Sequence, residues 1–167
     1  MIHTAIITLS DKGSKGERED ESGRVIREII TGIGAVVDQY EVLPDEEGCI
    51  IEALKRISDS GVIDLILTTG GTGVAPRDVT PEATRAVIER ELPGMAEAMR
   101  AESLRKTPHA MISRAIAGIR KRTLIVNLPG SPRAARENLA VILPALTHAI
   151  EKIKGDPRDC GSSDVSN

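Results

Sequence analysis

Short aliphatic runs alternate with segments of helical periodicity along almost the entire chain. The first run, HTAIITLS at residues 3–10, is apolar or β-branched at nearly every position, which is typical of a strand buried on both faces of a parallel sheet. AVVDQYEVLPD and VIDLILTT predict two further strands, and residues 115–130 predict a pair joined at the basic turn 120–122. This order predicts an α/β fold, a three-layer α/β/α sandwich with a mostly parallel central sheet.

Helix signals separate these strands. A polar, glycine-containing stretch at residues 11–20 reads as a mobile loop before the first helix. Thr80 suits an N-cap with Pro81 in the first helical position, and Ser131 repeats this pattern before a long closing helix that we expect to bend at Pro144. The predicted helices cover residues 22–32, 44–57, 80–90, 95–106 and 131–150.

Size and composition exclude several classes of protein. The 167 residues suit one domain, which we place at residues 1–154, with a disordered polar tail over 155–167. Aromatic residues make up 1% of the chain and the net charge of −3 is evenly mixed, so we expect no nucleic-acid partner. Neither a membrane span nor a signal peptide is visible, which predicts a cytoplasmic protein. Cys49 and Cys160 are expected to be free thiols.

Four predicted strands end in small or polar residues. These ends are Ser10–Asp11, Pro44–Asp45, residues 69–73 and residues 127–131. Ligands of open α/β sheets bind beyond the carboxyl ends of the strands, so the four segments could form one site. Three of them lead into helices, whose N-terminal N–H groups attract anions such as phosphate.

The glycine-rich stretch TTGGTGVAPRDVTPEA has neither the ending of a P-loop nor the spacing of a dinucleotide fingerprint. Gly70, Gly71 and Gly73 could let backbone amides approach an anion closely, although a simple tight turn explains the glycines as well. Asp78 could neutralise Arg77 or support the next helix. Asp45 has a comparable helix-capping interpretation.

Two carboxylates beside a phosphate site also suit Mg²⁺, which prefers a few carboxylates together with substrate phosphates. The histidines, His3, His109 and His148, lack the spacing of metal ligands, and we expect structural or surface roles for them. The acidic run at residues 17–21 is typical of a solvated loop, with a lid over the site as the alternative.

Four motifs together carry a resemblance to a known family: TTGGTGVAPRDVTPEA, LPDE, SRAIAGIRKRTLIVNLPGSP and TLSD. From residue 2 to 154 the chain resembles the molybdopterin adenylyltransferase family of molybdenum cofactor biosynthesis. The resemblance implies a homotrimer that transfers AMP from ATP to the terminal phosphate of molybdopterin, with Mg²⁺ as cofactor. Adenylyl-molybdopterin and pyrophosphate would be the products, the former handed over to the molybdenum-inserting transferase.

The same resemblance implies roles for individual residues. Asp45 and Asp78 match the two functional aspartates, which we expect to organise Mg²⁺ rather than act as bases. Residues 70–73 match the pterin-binding loop. The implied substrate-binding residues are Ser10, Gly70, Gly71, Thr72, Gly73, Thr80, Ser113, Asn127, Gly130 and Ser131. Asn or Gln often stands in the family where this chain has Ser131.

Three alternatives stay open at this point. The metal-inserting transferase contains a similar domain but normally carries additional ones. A non-catalytic paralogue would bind molybdopterin without adenylylating it. A phosphate-binding regulatory domain would use the glycine loop with no link to pterins.

Overall fold

A six-stranded sheet forms the centre of the protein, and a computed structural model describes residues 1–157. The strand order is β2-β1-β3-β6-β5-β4, in which β1, β2, β3 and β6 are parallel and β5 is antiparallel to both of its neighbours. The predicted hairpin of β5 and β6 is confirmed, with Lys121 at φ 51° in its turn. The strands are β1 (His3–Leu9), β2 (Val36–Leu43), β3 (Leu65–Thr69), β4 (Arg90–Glu91), β5 (Ala117–Arg120) and β6 (Thr123–Leu128).

Helices cover both faces of this sheet, which confirms the predicted three-layer sandwich. One core lies beneath α2, α5 and α6 and includes Ile6, Leu67 and Leu124, all fully buried. The other lies beneath α3 and α4 and includes Ile7 and Ile66. The helices are α1 (Asp11–Ser14), α2 (Glu21–Gly32), α3 (Glu47–Asp59), α4 (Thr80–Arg85), α5 (Pro93–Leu104) and α6 (Pro132–Ile153), with a 3₁₀ helix at Pro108–Ile112.

Three local predictions were wrong. Part of the expected loop at residues 11–20 is helical, because the Ser10 hydroxyl accepts a hydrogen bond from the Gly13 amide and caps α1. The helix expected over residues 80–90 ends at Arg85, and the chain then forms the short edge strand β4. Thr80 does not cap α4, since its hydroxyl donates to the Gly70 carbonyl instead.

The closing helix α6 contains Pro144 and ends just before the predicted tail. Pro144 lies inside the continuous helix α6, which closes with amide hydrogen bonds from residues 154–156 to its last carbonyls. The remainder of the predicted tail, with Cys160, lies outside the described residues. Within residues 1–157, no helix is long and apolar enough to cross a membrane.

Candidate active site

A cavity of about 650 Å³ lies at the carboxyl ends of β1, β3 and β6, beside the end of β2. All four segments singled out in the sequence contribute to its wall. Seven of the predicted site residues line it: Ser10, Asp45, Gly70, Gly71, Asp78, Gly130 and Ser131. The other lining residues are Thr8, Leu9, Gly13, Arg18, Glu19, Asp20, Glu21, Ser22, Thr69 and Pro132.

The glycine loop follows β3 and needs glycine at two consecutive positions. Gly70 and Gly71 have φ values of +100° and +65°, which other residues rarely adopt. A Cβ on Gly70 would overlap the Leu9 carbonyl, and one on Gly71 would overlap the Thr80 hydroxyl. Thr80 also donates from its hydroxyl to the Gly70 carbonyl (2.9 Å) and from its amide to the Gly71 carbonyl (3.1 Å). Thr80 therefore holds the loop in place by these two hydrogen bonds and does not line the cavity.

The turn after β6 packs directly on this loop. The Gly70 amide donates to the Leu128 carbonyl (3.2 Å), and the Thr69 hydroxyl donates to the Pro129 carbonyl (2.7 Å). A Cβ on Gly130 would lie 3.1 Å from the Gly70 Cα, so the two backbones nearly touch. Ser131 then caps α6 by accepting from the Ala134 amide (3.1 Å). The positive end of a 22-residue helix thus borders the cavity.

Asp45 is held by Asp11 and not by a helix. The Asp11 amide donates to Asp45 Oδ2, and the Asp45 amide donates to Asp11 Oδ1, each at 3.0 Å. Helix α3 begins two residues later and has no side-chain cap, so the capping interpretation of Asp45 was wrong. Burial raises the pKa of the Asp45 carboxyl, and the negative charges of Asp11 and Asp78 raise it further.

Asp78 likewise has neither of the simple roles considered for it. Arg77 pairs with Asp11, and α4 has no side-chain cap from any residue. Asp78 Oδ2 instead accepts from the Ala75 amide (2.8 Å), and the same oxygen would lie 2.8 Å from a Cβ on Gly73. Gly73 therefore leaves room for this carboxylate beside the glycine loop.

The carboxylate oxygens of Asp45 and Asp78 fit a hard cation whose coordination shell is completed by a substrate phosphate. In residues 1–157, no three His, Cys, Asp or Glu side chains form a group that could hold a metal. Asp45 and Asp78 offer two carboxylates whose mutual repulsion is part of what raises the Asp45 pKa, and a cation between them would relieve that repulsion. Mg²⁺ is commonly bound by one or two carboxylates with water and substrate phosphates, so the pair suits it.

The acidic segment before α2 forms a wall of the cavity, which the solvated-loop prediction missed. Asp20 caps α2 through the Gly23 amide (2.9 Å) and accepts from the hydroxyls of Thr8 (2.6 Å) and Tyr40. A Cβ on Gly23 would overlap this network. Burial and the Asp20 carboxylate raise the pKa of Tyr40, so its hydroxyl stays a donor. The sequence signal that could have predicted this cap is an Asp, a preferred N-cap residue, directly before the first residue of α2.

Asn127 and Thr72 are buried and do not line the cavity. Asn127 donates to the hydroxyls of Thr68 and Thr84 (2.9 Å each), and its oxygen accepts from the Ile116 amide (3.3 Å). All hydrogen-bonding groups of this side chain except one lone pair are engaged. Its place in the structure is that of a fastener between β6, β3 and α4.

Ser113 also lies away from the cavity, but its neighbour Arg114 grips the glycine loop. Arg114 donates from Nε to the Gly73 carbonyl (2.6 Å) and from Nη2 to the Asp78 carbonyl (2.7 Å), and it pairs with Glu82. Its amide donates to the Thr72 carbonyl (2.9 Å). No local sequence signal points to Arg114, because only the fold brings its side chain to the glycine loop.

The side chains lining the cavity are strongly acidic. Among the described residues 1–157, five carboxylates line it, those of Glu19, Asp20, Glu21, Asp45 and Asp78, against the single basic side chain of Arg18. No histidine lines it, and His3 lies at the far end of β1, where it contacts Asp38. Anionic substrates would therefore need helix N-termini, loop amides and a cation to bind here.

Comparisons with known proteins place this arrangement. The family described as "Probable molybdopterin binding domain" matches residues 5–148. The molybdopterin adenylyltransferase of Helicobacter pylori J99 is 43% identical over 157 residues, which are 93% of this chain and 89% of that protein. That of Escherichia coli K12 is 41% identical over 142 residues, covering 83% of this chain and 72% of its own length.

A solved structure agrees with the sequence comparisons. The molybdopterin biosynthesis enzyme MoaB of Thermus thermophilus superposes with a TM-score of 0.88 at 52% identity, over 95% of this chain and all of that one. Matches of this identity and coverage include the cavity-forming segments from β1 to α6. The chain therefore belongs to the molybdopterin-binding domain family of molybdenum cofactor biosynthesis.

Proposed function

We propose that this protein is a molybdopterin adenylyltransferase, which transfers AMP from ATP to the terminal phosphate of molybdopterin and releases pyrophosphate. The observation that carries the proposal is that Asp45 and Asp78 line one cavity together with the glycine loop at Gly70 and Gly71. Relatives named for this activity, at 41–43% identity over most of the chain, support it.

The reaction needs no general base. The second pKa of a phosphate monoester is about 6, so the terminal phosphate of molybdopterin is mostly a dianion at neutral pH and is already nucleophilic. An oxygen of this phosphate attacks the α-phosphorus of ATP, and the bond from that phosphorus to the bridging oxygen of pyrophosphate breaks. The absence of histidine from the cavity wall is compatible with such chemistry.

The obstacle is to bring two anions together, and the residues of the cavity address it by position and charge. The pterin phosphate would lie against Gly70 and Gly71, which line the cavity next to the N-terminus of α6 at Ser131. Asp45 and Asp78 would hold Mg²⁺, which when bound supplies positive charge to the α-phosphate and to the leaving pyrophosphate. Arg18 would contact the outer phosphates of ATP.

The same proposal extends to the setting of the enzyme. We expect one domain over residues 1–154, a homotrimer, a cytoplasmic location and transfer of the product to the molybdenum-inserting transferase. Light scattering of the purified protein tests the trimer directly. A monomer at micromolar concentration would remove that part of the proposal without touching the chemistry.

The decisive assay incubates the protein with molybdopterin, ATP and Mg²⁺ and measures adenylyl-molybdopterin and pyrophosphate. Asp78→Asn should bind molybdopterin as the wild type does and lose most transfer, because it removes one carboxylate from the cation site and leaves the loop intact. Normal turnover by this variant at saturating Mg²⁺ and ATP would contradict the metal role of Asp78.

Two alternatives give different results in that assay. A non-catalytic paralogue would bind molybdopterin and form no product. A phosphate-binding regulatory domain would bind inorganic phosphate and show no preference for the pterin.

A further inference from the structure

Asp11 and Arg77, which lie in two of the four sequence motifs, form an ion pair that the proposed chemistry does not use. Arg77 Nε donates to Asp11 Oδ2 (2.9 Å), and its Nη2 donates to Asp11 Oδ1 (2.7 Å). This is the two-pronged geometry in which a planar guanidinium fixes the orientation of a carboxylate. The pair joins the end of β1 to the segment that follows β3.

Each partner of this pair is tied to one of the two site carboxylates. Asp11 exchanges two backbone-to-carboxylate hydrogen bonds with Asp45, each of 3.0 Å. Arg77 directly precedes Asp78, whose amide donates to the Ala75 carbonyl (2.9 Å) and whose carboxylate accepts from the Ala75 amide (2.8 Å). A continuous chain of hydrogen bonds and one tight turn therefore connects Asp45 to Asp78.

We propose that Asp11 and Arg77 are positioning residues that fix the separation of Asp45 and Asp78 and thereby set the affinity of their cation site. The inference rests on the proposed function for the role of those two carboxylates. Hydrogen-bond partners of metal-binding side chains typically change metal affinity about 10–100-fold when they are removed.

Stability alone does not account for the pair. The side chains of Arg77 and Asp11 are 59% and 37% exposed, and ion pairs of such exposure add little to folding. Their charges act in opposite directions, since Asp11 raises the pKa of the Asp45 carboxyl and Arg77 lowers it, so a role of charge alone would give the two residues opposite effects on cation binding. The geometric role is common to both, because the pair holds two chain segments from different strands at one distance.

The experiment measures Mn²⁺ binding to the full-length protein by the loss of the free-ion electron paramagnetic resonance signal. Asp11→Asn, Arg77→Gln and the double variant are compared with the wild type, and Asp45→Asn and Asp78→Asn define the background. Arg56→Gln is the matched control, since Arg56 pairs with Glu41 at 2.7 and 2.8 Å outside the cavity. All are checked by thermal melting, with shifts expected within about 3 °C.

Both single variants should weaken Mn²⁺ binding by at least about tenfold. The double variant should bind Mn²⁺ no more weakly than the worse single variant, because each change breaks the same Asp11–Arg77 ion pair. Arg56→Gln should bind as the wild type does. If charge alone mattered, Arg77→Gln would tighten binding, Asp11→Asn would weaken it and the double variant would fall between the two single variants, which would overturn the inference.

Two further outcomes also decide the matter. Equal Mn²⁺ affinity in the Asp11 and Arg77 variants and in Arg56→Gln would overturn the positioning role of the ion pair. A wild type that binds Mn²⁺ no better than the Asp45→Asn background would overturn it as well. Failure of the proposed function is a separate result, namely a wild type that makes no adenylyl-molybdopterin. The Mn²⁺ titration tests the positioning role of Asp11 and Arg77 independently of the adenylylation assay.

Discussion

Substituting Gly71 by Ala should harm this protein in two separable ways. At φ +65° an alanine is strained by about 1–2 kcal/mol, as at any left-handed position. Its Cβ would also overlap the Thr80 hydroxyl and push it from the Gly70 carbonyl, leaving buried polar groups without a partner at a cost of about 1–3 kcal/mol. The same Cβ would lie 3.2 Å from Asp45 Oδ1.

Gly61 offers the matched control for the first of these effects. It has φ +73°, and a Cβ there would meet nothing within 4 Å, so Gly61→Ala carries the backbone strain and the altered unfolded state without the clash. The difference between the two variants isolates the clash. At about 2–4 °C per kcal/mol for a chain of this size, a clash of about 1–3 kcal/mol should make Gly71→Ala melt about 2–12 °C below Gly61→Ala.

Differential scanning calorimetry of the two variants measures this difference, and the adenylylation assay measures its consequence. Gly71→Ala should lose most activity because the displaced Thr80 no longer fastens the loop and Asp45 is crowded. Gly61→Ala should keep wild-type activity. Equal melting temperatures for the two variants would refute the claim that close contact, in addition to backbone conformation, requires glycine at position 71.

Three further substitutions test separate parts of the structure. Asp45→Asn should raise the melting temperature at neutral pH by about 1–3 °C, because burial raises the Asp45 pKa and its charged form destabilises the fold; this gain should vanish as the pH falls through that pKa, and a gain independent of pH would contradict it. Asn127→Ala should lower the free energy of unfolding by about 2–4 kcal/mol in denaturant titrations through three lost buried hydrogen bonds, whereas unchanged stability with a raised KM for molybdopterin would assign it to substrate contact. Arg18→Ala should raise the KM for ATP about 10–100-fold and leave that for molybdopterin unchanged, since one charge-assisted contact contributes about 1.5–3 kcal/mol; a shift in the molybdopterin KM instead would place the pterin phosphate at Arg18.

The layers and the strand ends were predictable because they depend on periodicity and on short-range signals. Runs of Ile, Val and Leu predicted the parallel strands, and the strand-end rule located Asp45 beside the glycine loop, whereas Asp78 was assigned to the site by the family resemblance. Local signals were misread where a tertiary contact competed with them. Thr80 has the sequence context of a cap, yet it is the first residue of α4 and its hydroxyl donates to the Gly70 carbonyl of the glycine loop.

Residues that act across the fold were invisible for a different reason. Arg114 and Arg77 reach their partners across separations of 41 and 66 positions, and a sequence carries no short-range trace of such contacts. The substrate contact expected for Asn127 came from the resemblance of the NLPGSP turn to the family. In the structure β6 extends to Leu128, so Asn127 lies within the strand and its buried side chain bonds Thr68 and Thr84.

The strand order has a consequence for how this chain is made. Strand β6 lies between β3 and β5, so synthesis delivers the neighbour of β3 only after β4 and β5 have already emerged from the ribosome. Until then, β3 presents an unpaired apolar edge, which is the kind of surface through which nascent chains associate wrongly. The cavity also takes its last wall from residues 130–132. A growing chain therefore carries an aggregation hazard between the synthesis of β3 and that of β6, and it completes the candidate site only after β6.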